Sequence, residues 1–123
     1  IVWPATSQDG GCTADPDVWC TGSIPYGSLF ALPPGVDVGG IGLSEPGQRL
    51  AHAFQDYGVY IVDNANCPAI RADQYVNDTV IEQLRNDLSV IYPMMRRVLN
   101  NTQHQTASGG GTPRAPNCAF DAD

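Results

Sequence analysis

The chain contains no lysine, and only two histidines and two glutamates among its 123 residues. Without lysine it has no Walker A phosphate clamp and no Schiff-base nucleophile. Its cations are arginines alone, six against thirteen carboxylates, for a formal net charge of −7. Such a surface offers no basic field to hold a phosphate backbone, so nucleic acid is not an expected partner. His52 and His104 share no His-x-x-x-His or His-Glu-x-x-His spacing, which argues against a histidine-built transition-metal site. There is no Gly-x-Ser-x-Gly elbow to present a nucleophilic serine. No run of eighteen apolar residues occurs, so no membrane span is expected.

What is abundant is turn chemistry. Thirteen glycines and ten prolines predict much loop, while 42% apolar and 15% charged residues make a globular composition of about one domain. The four cysteines, Cys12, Cys20, Cys67 and Cys118, include no Cys-x-x-Cys pair, so disulfides in an oxidising compartment are the better reading. Of three connectivities, Cys12–Cys20 with Cys67–Cys118 is favoured because each closes a loop rich in Gly, Pro and Asp. In the chain-entropy picture these contribute about 2.5 and about 4 kcal/mol. Two sequons, at Asn77 and Asn100, then suggest a secreted glycoprotein. The first residue is Ile1 rather than Met, consistent with removal of a secretion leader.

Along the chain, residues 1–6 are β-prone but interrupted by Pro4, which confines them to an edge strand or an arm. Residues 7–25 form an Asp-, Gly- and Pro-rich loop, and residues 28–32 a short strand ended by Pro33 and Pro34. Ser44 caps a helix with Pro46 in its first turn, a buried stripe of Leu50, Ala53, Phe54 and Tyr57, and Gly58 as terminator. Residues 59–62 are apolar at every position, the pattern of a central strand covered on both faces. Thr79 and Glu82 make a capping box for the longest helix, with Ile81, Leu84, Leu88 and Ile91 inward. Pro93 ends or kinks it, and residues 94–99 supply another helical turn. The expected fold is α+β, a small mixed sheet packed by two helices, loop-rich and held by two disulfides. Residues 1–105 form one domain with arm 1–6, and residues 106–123 a Gly/Pro-rich tail tied back by Cys118. The strand count falls short of a sheet covered on both faces, so the missing partners are either short strands within the loops or come from a neighbouring subunit through strand donation by residues 1–6.

Residues 24–33, Val36-Asp37 and residues 53–63 (AFQDYGVYIVD) resemble the C-terminal part of a family of secreted proteins. Its members carry a similar strand, a short "ALQxYG" helix and a strand ending in "VD". The resemblance covers residues 1–92 and is most specific over 24–63. It implies an extracellular location and this topology, and it supplies no catalytic residues. Family members have a longer N-terminal half, which this chain lacks.

His52 lies one helical turn before Asp56, but no nucleophile accompanies them, so a surface His–Asp pair is expected. His104 sits in a polar, solvated segment. The aspartate excess suits calcium, which takes hard oxygen ligands from carboxylates and loop carbonyls. Asp15, Asp17 and Asp63 are the candidate ligands, the alternative being that aspartates serve as turn formers. The leading expectation is a non-catalytic extracellular structural protein, glycosylated and calcium-stabilised, that assembles head to tail with itself into a fibre or matrix. The rivals are a carbohydrate-active enzyme using paired aspartates and a small secreted binding or inhibitor domain.

Overall fold

The computed structural model of the chain describes residues 1–7, 24–63 and 69–104. The elements are β1 (Leu29–Ala31), α1 (Glu45–Asp56), β2 (Val59–Tyr60), α2 (Asp78–Ile91) and β3 (Arg96–Arg97). Short helical turns at Val38–Gly40 and Tyr92–Met94 connect them. The α+β class stands, but the sheet is antiparallel throughout rather than mixed, with strand order β2-β1-β3.

The connection between β1 and β2 explains the polarity. After β1 the chain makes turns at Pro33–Val36 and Asp37–Gly40 before α1 begins, so the helix brings the chain back to where β1 ended. There the Leu32 N–H donates to the Phe54 carbonyl at 3.1 Å, satisfying one of the acceptors that a helix C-terminus leaves open. β2 starts from that end and must run opposite to β1, pairing Leu29 with Tyr60 and Phe30 with Val59. The Gln55 amide secures the returning loop by donating to the Pro33 and Val36 carbonyls at 3.1 and 3.0 Å.

Residues 59–62 therefore do not form the central strand. Among the described residues β2 stands at the edge of the ladder, and Val62 is 80% exposed. An apolar run specifies that its residues meet something, not that they have two ladder neighbours. The middle position belongs to β1, whose Leu29 and Ala31 are buried on one face with Val98. Residues 94–99 also depart from the helical expectation. Pro93 closes a single helical turn, after which Arg96 and Arg97 extend against β1 and the Val98 N–H donates to the Leu29 carbonyl at 2.8 Å.

Helix α1 follows its signals closely. Ser44 Oγ accepts from the Gly47 N–H, Pro46 occupies the first turn, and Gly58 takes the left-handed φ of 67° that ends the helix. Its buried stripe is shifted, with Ala51 and Phe54 fully inside and Tyr57 50% exposed. They join Leu32, Val38, Leu43 and Ile91 in the main core. Helix α2 is capped two residues earlier than the capping box proposes. Asn77 Oδ1 accepts from the Val80 N–H at 2.9 Å, leaving Thr79 exposed inside the first turn. Asparagine caps at least as well as threonine, so the earlier cap brings Asp78 and Thr79 into the helix.

The two helices meet at a polar contact. Asp87, 8% exposed on the inner face of α2, accepts from the Ser44 backbone N–H at 3.3 Å and from the Ser44 hydroxyl. A Cβ on Gly47 would lie 2.0 Å from Asp87 Oδ2 and 2.5 Å from its Cγ, so the helices approach this closely only because residue 47 is glycine. One carboxylate thus caps a helix to which it does not belong.

Candidate functional site

The strand polarities bring the start of β1 and the ends of β2 and β3 to one end of the sheet. The N-terminal arm lies there. The Val2 N–H donates to the Tyr26 carbonyl at 2.8 Å, and the Ala5 N–H returns to the Val2 carbonyl at 2.9 Å, closing a turn around Trp3 and Pro4. Gly27 makes this docking sterically feasible. Its φ is +87°, and a Cβ there would stand 1.9 Å from the Val2 carbonyl oxygen and 2.9 Å from the Ala5 nitrogen. On its other side the Gly27 N–H donates to the Ile61 carbonyl at 2.8 Å, and the Ile61 N–H to the Ser28 carbonyl at 2.9 Å. Arm, β1 and β2 are thus tied at one glycine.

Between Pro4, Ala5 and Thr6 on the arm and Tyr60, Ile61 and Val62 at the end of β2 and just past it lies a shallow open cavity of about 270 Å³. Ile1, Val2, Ile24 and Val62, all exposed, make this end of the molecule unusually apolar for an acidic chain. Residues 1–6, expected as an edge strand or an arm, form a turn attached by its backbone within its own chain and showing its aliphatic side chains to solvent.

Of the candidate calcium ligands only Asp63 falls among the described residues. Asp63 is exposed just past β2, whereas Asp15 and Asp17 lie outside the described residues, as do Cys12, Cys20, Cys67 and Cys118 and the tail 106–123. Among the described residues no group of three or more His, Cys, Asp or Glu side chains forms a metal-sized cluster. Several described aspartates serve the backbone as turn and cap formers. Asp37 accepts from the Gly39 N–H at 3.2 Å and Asp73 from the Tyr75 N–H at 2.9 Å, and Asp87 binds Ser44. Both glutamates form exposed ion pairs along their own helices, Glu45 with Arg49 and Glu82 with Arg85, each of which contributes little to stability.

His52 faces Gln55 rather than Asp56, with Nδ1 3.3 Å from Gln55 Oε1, and His104 is exposed. Of the two sequon asparagines, Asn77 is exposed and Asn100 half-buried. Sequence reasoning missed Asp87 and Gly27. Asp87 carried a signal, since it lies three residues after Leu84 and four before Ile91, on the apolar stripe itself. Gly27 carried none, because its requirement arises from a segment more than twenty residues away.

Among the described residues no helix is long and apolar enough to cross a membrane. No known protein family matches this sequence, and comparisons with curated proteins and with solved structures likewise return no match.

Proposed function

We propose that the chain is a non-catalytic extracellular structural protein that assembles head to tail, its apolar arm joining the sheet edge of a neighbouring copy. The observation that supports this reading is the apolar end of the sheet. There the arm carries exposed Ile1 and Val2 beside the edge strand β2, which has one strand neighbour among the described residues. An edge strand next to exposed aliphatics can accept a strand from another chain. Such a contact joins two different surfaces and therefore propagates instead of closing.

Negative-stain microscopy of the protein at high concentration should show filaments or a matrix. Val2→Asp, which places a charge in the contact while leaving the backbone bonds of the arm available, should reduce the material to monomers. Monodisperse particles from the unaltered chain under all conditions would exclude assembly.

Calcium belongs to the same proposal, with Asp63 and the aspartates of the preceding loop, Asp15 and Asp17, as ligands and disulfides among the four cysteines as the accompanying staples. A cation bound at one hundred times its Kd stabilises by about 2.7 kcal/mol. EDTA should accordingly lower Tm by about 5–10 °C, reversibly on adding calcium. An unchanged melting curve removes calcium from the proposal and leaves the assembly part intact.

A further inference from the structure

The residues 75–79 (YVNDT) place an aromatic ring two positions before a sequon asparagine. Tyr75 is 85% exposed, the highest value among the exposed large apolar and aromatic side chains described. The backbone around it is held on both sides of Asn77. Asp73 accepts from the Tyr75 N–H through Oδ1 and from the Val76 N–H through its carbonyl, at 2.9 and 3.1 Å, and Asn77 Oδ1 accepts from the Val80 N–H. The cap uses only the oxygen of the Asn77 amide. Its nitrogen is the atom that a glycan would occupy, and an N-linked sugar leaves the oxygen free to keep capping α2.

We propose that Asn77, and not Asn100, carries the glycan, and that Tyr75 is the platform on which the first sugar ring lies. The inference rests on the extracellular reading above. In the transfer the bond between the anomeric carbon and the diphosphate of a lipid-linked oligosaccharide breaks, and a bond from that carbon to Asn77 Nδ2 forms. The displaced amide proton leaves with the lipid diphosphate. Two residues span at most about 7 Å, so the Tyr75 ring stands within reach of an N-acetylhexosamine on Asn77. The C–H groups on one face of that sugar are weakly positive and complement the negative π face of the ring.

Asn100 offers the opposite environment. The residue two positions before it is Val98, 6% exposed in the second core cluster, so no ring is presented there. Asn100 is half-buried, and its neighbour Asn101 donates from Nδ2 to the Tyr60 hydroxyl at 3.3 Å.

The arginines make the test direct, since tryptic cleavage separates the two sequons into peptides 72–85 and 98–114. Protein secreted from a eukaryotic host is treated with a peptide-N-glycosidase in heavy-oxygen water, which marks each formerly glycosylated asparagine. The expected result is label in most copies of 72–85 and none in 98–114. Label confined to 98–114, or equal in both, overturns the inference and leaves the glycoprotein reading standing; label in neither overturns both. For the platform, Tyr75→Ala should lower the Tm of the glycosylated protein by about 3 °C. In an Asn77→Asp background, which keeps a capping oxygen but no sugar, the same change should stay within about 1 °C. Equal shifts in the two backgrounds overturn the platform role.

Discussion

Gly27→Ala should destabilise the protein by about 2–3 kcal/mol, lowering Tm by roughly 10 °C, with most of the effect transmitted through the arm. Two contributions add. An L-residue at φ +87° is strained by about 1–2 kcal/mol wherever it sits. The new methyl group also meets the Val2 carbonyl oxygen, a backbone atom that cannot rotate away, so the arm must lift and its bond to Tyr26 is lost. Removing residues 1–5 separates the two, because in that background only the backbone strain remains and the substitution should cost about 1–2 kcal/mol. Equal costs in the full-length and shortened chains, measured by urea unfolding, would show that the arm does not rest on Gly27.

The second large effect lies at the contact between the helices. Asp87→Ala removes the acceptor for two Ser44 donors at a mostly buried site and should cost about 2–3 kcal/mol, a charge-assisted hydrogen bond being worth about 1.5–3. Gly47→Ala in the unaltered protein should also destabilise, by about 1–2 kcal/mol, although alanine is the better helix former. The added Cβ would press on Asp87 Oδ2, Cγ and Cβ, and the last of these cannot move without the helix. With Asp87 already alanine the Oδ2 and Cγ contacts are gone and only the Cβ of residue 87, at 2.9 Å, still presses. The same Gly47→Ala change should then cost about 1 kcal/mol less than in the unaltered protein. Chemical denaturation of the four variants completes the cycle, and an equal cost of Gly47→Ala in both backgrounds would mean that Asp87 is not what fills the space at residue 47.

Both sites mark where the sequence stops being informative. Helix α1 was legible because its instructions are local: Ser44, Pro46 and Gly58 act on backbone within a few residues of themselves. Phe54 and Ile91 were legible as core for the same reason, each sitting on a helical stripe. The middle place of β1 was not, since Leu29, Phe30 and Ala31 look like any short apolar run until their partners are known. Arg96 and Arg97 were harder still. Two charged residues after a proline turn carry no strand signal, and their extended state is imposed by the open edge of β1. Of the candidate sites, Asn77 was visible as a sequon, but its role as the cap of α2 appears only when the helix start is seen. The cysteines and two of the three proposed calcium ligands fall outside the described residues.

The order β2-β1-β3 also fixes how the molecule can come apart. β1 pairs with residues roughly 30 and roughly 65 positions further along, so no bond of the ladder belongs to a hairpin. Each outer strand reaches β1 only behind a helix, β2 after α1 and β3 after α2 with its Pro93 turn. An edge strand that detaches therefore frees the helix that delivers it, and a helix that loosens takes its strand along. Sheet and helix pair are therefore expected to melt as one cooperative unit, the packing of α1 on α2 holding both edges of the two-residue strands in place.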